Sequence, residues 1–177
     1  MDRVELYSLF AELFNYPREG YARAAERCLA AAEDFPMGAR EALRKFTESI
    51  RGKSVEQLEE LFVGTFDLNP VCVLEIGWHL YGDNYDRGAF LVKLRERLRH
   101  HEIAESSELP DHLTHVLALL ARLEAEEAGS FAAESVLPAL DKMLAGIAGK
   151  GSPYECLLEA LRKTLAGAHA PEGVSHG

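Results

Sequence analysis

An all-helical, single-domain bundle is the fold class this sequence predicts, and three observations carry that expectation. Apolar residues recur at the roughly 3.6-residue spacing of amphipathic helices along nearly the whole chain. The alternation of a half-buried strand extends over no useful length. With 177 residues and 47% apolar composition, the chain can bury one core without a disulfide or metal staple. About eight or nine helices are expected.

Val4, Tyr7, Phe10, Ala11 and Phe14 form one stripe of a first helix, which Pro17 and Gly20 close. Helical spacing resumes over 21–34 and 37–50, and Gly52 marks a turn. Ser54 with Gln57 reads as a capping box, in which serine oxygen and glutamine side chain satisfy each other's free backbone amides. The helix it opens carries Leu58, Leu61, Phe62 and Phe66 on one face and stops near Asp67. Asn69-Pro70 enforces the stop, because the proline ring disfavours helical geometry before it and removes a donor. A short helix over 71–81 follows. Gly82 suits a left-handed cap, and Asp83 or Asp86 is placed to cap the next helix, which runs to about His101 with Phe90, Leu91, Leu94 and Leu98 inward. A polar loop, Glu102 to Glu108, leads to Pro110 and a helix carrying Leu113, Val116, Leu117, Leu120 and Leu123. Two further helices are expected over 131–147 and 153–167, separated by the flexible joint Gly149-Lys150-Gly151-Ser152-Pro153. The helical domain is thus 1–168, and 169–177 lacks periodicity and reads as a flexible tail.

Charge and cysteine usage narrow the function classes. The net charge of −10 opposes nonspecific adhesion to nucleic acid or anionic lipid and favours basic partners. Met1 to Tyr16 is apolar, but Glu5 and Glu12 interrupt it and no basic stretch precedes it, so a secretory signal is not expected. Every apolar run is broken by charge well short of the roughly 18 residues of a membrane span. Cys28, Cys72 and Cys156 are odd in number and far apart, which fits a reducing, cytoplasmic setting and offers no spaced metal or redox pair.

Three clusters have the residue types for chemistry or recognition. Asp111-His112 with His115 opens a helix, where an aspartate can orient an imidazole, contact a peptide or simply cap. On the helical wheel His112 borders the apolar face, whereas His115 turns further toward solvent. Trp78-His79-Leu80-Tyr81-Gly82-Asp83 pairs large amphipathic rings with an acid, a composition suited to gripping a basic amphipathic segment or to packing. Arg87, Lys93, Arg95, Arg97 and Arg99 flank a leucine stripe, as snorkelling side chains do, and could gather a small anion. Glycine-rich phosphate loops, GxSxG elbows and HExxH helices do not occur. Two alternatives stay open: a metal-dependent helical hydrolase using Asp111, His112 and His115 with Glu75 or His79, and a nucleotide-regulated binding module using the edge from Lys93 to Arg99.

Four motifs stand in one order: Leu58-Glu59-Glu60-Leu61-Phe62 with Thr65-Phe66-Asp67-Leu68-Asn69, Tyr81-Gly82-Asp83, Asp86-Arg87-Gly88, and Glu108-Leu109-Pro110-Asp111-His112-Leu113. Together they resemble the nitrate reductase molybdenum cofactor assembly chaperones, the NarJ branch of the TorD-like chaperones, most strongly over 58–124. The resemblance implies a TorD-like, non-enzymatic bundle that holds no cofactor of its own, is a monomer or weak homo-oligomer, and does not insert into the membrane. It implies binding of the N-terminal segment of the catalytic molybdenum subunit, and aid to cofactor insertion before membrane attachment. The peptide-binding residues it implies are Phe66, Asp67, Trp78, Tyr81, Asp83, Glu108, Pro110, Asp111, His112 and His115. Leu109 lengthens the acidic-Pro-Asp-His spacing of the leader-binding branches, which fits the nitrate branch.

Overall fold

Residues 2–169 are described by a computed structural model. Among them run α1 (Arg3–Leu13), α2 (Tyr21–Ala30), α3 (Met37–Ile50), α4 (Val55–Phe62), α5 (Ile76–Tyr81), α6 (Tyr85–His100), α7 (Leu113–Arg122), α8 (Ala125–Phe131), α9 (Leu137–Ile147) and α10 (Tyr154–Ala168). A π-helical stretch, Ala132–Val136, makes α8 and α9 one continuous rod, so nine separate helices build the bundle among the described residues. No strand is present among them; a lone antiparallel bridge joins Glu75 to His112.

The apolar stripes become the core. Tyr7, Phe10, Leu13 and Phe14 of α1 are buried and face α7, whose Leu113, Val116, Leu117 and Leu120 are buried in turn. Val4 falls outside that stripe, at 46% exposure. On the other side α3 lies along α10, and α10 along α9. Each fully buried leucine or phenylalanine contributes about 1.5–3 kcal/mol of gross burial free energy. The buried tyrosine hydroxyls find partners: that of Tyr21 donates to the Leu13 carbonyl at 2.6 Å and meets the Tyr154 hydroxyl at 2.9 Å.

The capping box forms as expected, with Gln57 N–H on Ser54 Oγ and Ser54 N–H on Gln57 Oε1. Several boundaries differ from the sequence expectation. The helix expected over 71–81 begins only at Ile76; Pro70–Cys72 is a 3-10 turn, and the segment after it is extended. There the Leu113 N–H bonds to the Leu74 carbonyl at 2.9 Å and the Ile76 N–H to the Asp111 carbonyl at 3.0 Å. These long-range bonds replace helical ones, which local spacing cannot report. The cap of α6 is Asn84, whose side chain accepts from Asp86 and Arg87 N–H, and not Asp83 or Asp86. Gly82 takes positive φ as expected, but its ψ of −150° lies outside the left-handed helical well, in a region only glycine visits freely. The helix of α7 stops at Arg122, Leu123 being extended with its carbonyl accepting from Arg3 Nη2 at 3.0 Å. The next helix then starts at Ala125, six residues before the expected 131. Of the expected tail, His169 bonds to the Tyr7 hydroxyl at 2.9 Å, and 170–177 lie outside the described residues.

Candidate functional site

The sequence between α4 and α5 builds one wall of a groove. The last turn of α4 widens into a π-helical segment, Val63–Asp67, closed by the Leu68 N–H on the Val63 carbonyl at 2.9 Å. The extra residue turns Thr65 and Phe66 inward and leaves Asp67 exposed. Thr65 Oγ1 bonds to Ser152 Oγ at 2.8 Å, which ties the segment to the turn before α10. Past Cys72 the chain runs extended through Leu74 and Glu75, and the bridge sets the Glu75 side chain next to that of His112.

A pocket of about 110 Å³ opens there. The end of α1 supplies Phe14, Asn15 and Tyr16, the α4 end supplies Phe62, Phe66 and Asp67, and the bridged segments supply Leu74, Glu75, Glu108 and His112. Its floor is a ring cluster: Phe62 and Phe66 pack edge-on at 5.1 Å, Phe14 meets Phe66 at 6.2 Å, and Tyr16 meets Phe62 at 5.8 Å. Its rim carries Asp67, Glu75 and Glu108, none of which forms an ion pair with another described residue. Burial raises the Glu75 carboxyl above its ordinary range, and the charges of Asp111 and Glu108 push the same way. Asn15, Tyr16 and Glu108 also border a wider cleft of about 630 Å³ that continues between the α1–α2 connection and Ser106-Ser107.

His112 is the N-cap of α7: its Nδ1 accepts from the Thr114 N–H at 3.3 Å and meets Thr114 Oγ1 at 2.8 Å. The neutral ring therefore carries its proton on Nε2. Burial, with a smaller push from His115, lowers its pKa to about 4. His115 departs from the solvent-facing placement its wheel position predicts, for it is only 5% exposed. Its Nε2 accepts from the Ser106 N–H at 3.0 Å and its Nδ1 donates to the Leu109 carbonyl at 2.8 Å, pinning the loop before α7. Asp111 is fully buried, so it presents no surface to a ligand. Its Oδ2 accepts from the Gly77 N–H at 3.0 Å and lies 3.6 Å from Arg87 Nη2. Burial pushes this carboxyl up, against the opposing pull of Arg87.

Of the residues singled out in the sequence, Phe66, Asp67, Glu108 and His112 come together around the pocket. Pro110, Asp111 and His115 form the buried support behind it. Trp78 and Tyr81 lie along α5, partly exposed, and Asp83 is exposed just beyond its end; none of the three lines the pocket. Phe14, Asn15, Tyr16 and Phe62 join the lining without any sequence motif for binding, and Glu75 enters the sequence reading only as a metal-ligand alternative. Pro17, four residues past the end of α1, is the one available signal. Among the described residues no three His, Cys, Asp or Glu side chains converge as a metal-binding set, and both His115 nitrogens are already bonded. On α6, Arg95 pairs with Glu105 at 3.0 Å and Arg97 with Glu127 at 2.6 Å, so two of the cations on the anion edge expected there are already matched by carboxylates.

Fold and groove together define an all-helical protein with an acid-rimmed cleft floored by aromatic rings. Residues 32–154 match the family model described as nitrate reductase delta subunit. The chain belongs to that family. Over 136 residues it is 28% identical to the nitrate reductase molybdenum cofactor assembly chaperone NarJ of Escherichia coli (strain K12), covering 76% of this chain and 57% of that protein. The same figures hold for NarJ of Escherichia coli O157:H7. The chain thus spans little more than half the length of the curated relatives it matches.

Proposed function

We propose that this protein is a non-enzymatic assembly chaperone that binds the N-terminal segment of the catalytic molybdenum subunit of nitrate reductase. It holds that segment in the cytoplasm, as a monomer or weak homo-oligomer, while the cofactor is inserted and before the client reaches the membrane. The observation that carries this reading is the pocket of Phe14, Tyr16, Phe62 and Phe66 rimmed by the unpaired carboxylates of Asp67, Glu75 and Glu108. Tyr16, 46% exposed over the buried rings of Phe14, Phe62 and Phe66, offers a face to an apolar anchor or a cation, and carboxylates without cations attract a lysine or arginine. His112 Nε2–H adds one donor for a peptide carbonyl. The role of the matched relatives as molybdenum cofactor assembly chaperones supports the same reading. No helix among the described residues is long and apolar enough to cross a membrane.

Each buried anchor contributes about 1.5–3 kcal/mol gross, and ordering a flexible segment costs roughly 2–5 kcal/mol. Micromolar to high-nanomolar affinity is the expected balance. Isothermal titration calorimetry with a synthetic peptide of the client's N-terminal segment measures it directly. Saturable binding that weakens with added salt supports the proposal; no heat of binding at high peptide concentration refutes it.

A further inference from the structure

We propose that Arg87 contacts the client, receiving an acceptor oxygen from the bound segment, and that the buried Asp111 acts through Arg87 as its positioning residue. The oxygen is either a side-chain carboxylate or a free carbonyl at the end of a bound helix. This inference rests on the client-binding reading above.

The pairing of Arg87 with Asp111 is unfinished in a way that a purely structural salt bridge would not be. Nη2 stands 3.6 Å from Oδ2, beyond hydrogen-bond distance, and both Arg87 Nε and Asp111 Oδ1 are buried without a partner. Buried polar groups are nearly always satisfied, and a guanidinium meeting a carboxylate ordinarily closes a two-pronged contact. The neighbouring arginines of α6 do form close pairs, Arg95 at 3.0 Å and Arg97 at 2.6 Å. Arg87 instead keeps donors unused while its side chain is 20% exposed.

Its position is nevertheless held. The guanidinium carbon lies 5.7 Å from the centroid of the Trp78 ring, whose Nε1 is fixed on the Pro70 carbonyl at 3.1 Å. Behind it, the Asp111 carboxylate is anchored by the Gly77 N–H. A cation held between an indole face and a buried carboxylate is preorganised, and its free donors are what a guest can use. Exposed apolar side chains lie on the adjoining segments: Leu68 (76%) and Val71 flank Pro70, whose carbonyl holds Trp78, and Tyr81 and Tyr85 (90%) stand on either side of the α5–α6 turn. Glu75 joins the two regions, lining the acidic pocket and sensing the charge of Arg87. A client that brings cationic groups to the pocket meets one fixed cation next to it, and Arg87 selects for an acceptor at that place.

Trp78 is the sole tryptophan, so its emission reports on this cluster in the full chain. The client's N-terminal peptide is titrated into the unmodified protein, Arg87→Met, Arg87→Lys, Asp111→Asn and the Arg87→Met/Asp111→Asn pair, with circular dichroism confirming that each is folded. Arg87→Met should weaken binding at least tenfold, and Arg87→Lys should recover part of that loss. Asp111→Asn, which can still accept from Gly77, should shift the Trp78 emission of the free protein and weaken binding comparably. The pair should bind no worse than Arg87→Met alone. Repeating the series with a peptide whose acidic side chains are amides separates the two oxygens: the Arg87 effect disappears for a carboxylate and persists for a carbonyl. Unchanged affinity in folded Arg87→Met, or losses that multiply in the pair, would overturn the inference while leaving client binding intact. Failure of the unmodified protein to bind would overturn the client reading itself.

Discussion

Replacing Gly77 with alanine should destabilise the protein, although the residue sits in a helix, where alanine is ordinarily better than glycine by about 1 kcal/mol. A Cβ at this position would stand 2.6 Å from Asp111 Oδ2 and 2.9 Å from Phe90 Cδ1. Neither neighbour can withdraw cheaply. Asp111 is fully buried and holds the Gly77 N–H, and the Phe90 ring packs against Tyr81 at 5.3 Å. Overpacking costs about 1–3 kcal/mol, and displacing a hydrogen bond to a charged acceptor about 1.5–3 kcal/mol. Less the gain in helix propensity, the net loss is about 1.5–5 kcal/mol, or a Tm lower by roughly 10 °C at mid-range in a chain of this size. Gly88 is the control: it lies in α6 with nothing within 4 Å of its Cβ, and alanine there should stabilise by about 0.5–1 kcal/mol. Urea and thermal melts followed by far-UV circular dichroism measure both. A Gly77→Ala protein as stable as the unmodified one would refute the close packing of α5 on Asp111.

Leu117→Ala, at a fully buried site of α7, should cost about 2–5 kcal/mol in urea melts and leave the peptide affinity of the folded fraction unchanged. His112 has a folded pKa of about 4 against 6.5 unfolded, so the unfolded chain takes up its proton first as the pH falls. Its contribution is therefore complete above about pH 6.5, declines by about 3 kcal/mol toward pH 4 and is flat below. His112→Asn retains a capping side chain and should flatten that limb in melts across this range; the raised carboxyls of Asp111 and Glu75 titrate with the opposite sign and cancel in the difference. Glu75→Gln and Glu108→Gln should each weaken client-peptide binding severalfold at low ionic strength and reduce its salt dependence, as calorimetry at two salt concentrations would show. An unchanged salt slope in both would remove the rim carboxylates from the binding surface.

What is legible in the sequence is what local spacing encodes. The stripe of Tyr7, Phe10 and Phe14, the Ser54–Gln57 capping box and the stop at Asp67 before Asn69-Pro70 each depend on residues within a few positions of one another. The groove depends on pairs far apart in the chain. Nothing near Glu75 announces that its backbone will lie beside His112, so a stretch with helical composition becomes extended. His115 looks solvent-facing on a wheel because the wheel omits the loop at Ser106 and Leu109 that folds over it. The charge of Asp111 invites a surface role close to the groove, and only its contacts with Gly77 and Arg87 reveal a buried support instead. Tyr16 and Glu75 carry no motif, and their place at the rim follows from where α1 ends and where the bridge forms.

The bridge also determines how this part of the molecule opens. Between Leu74 and Leu113 the chain makes α5 and α6, and the Ile76 and Leu113 amides at its two ends are bonded to the opposite arms of the same crossing. Departure and return therefore share one latch. When that latch parts, the two amide protons should become exchangeable together, whereas α5 is still held by its packing on α9 and by Lys142 Nζ on the His79 carbonyl. A guest that touches Glu75 and His112 at once closes the latch from outside, so its signature in hydrogen exchange would be slowing at residues it never contacts.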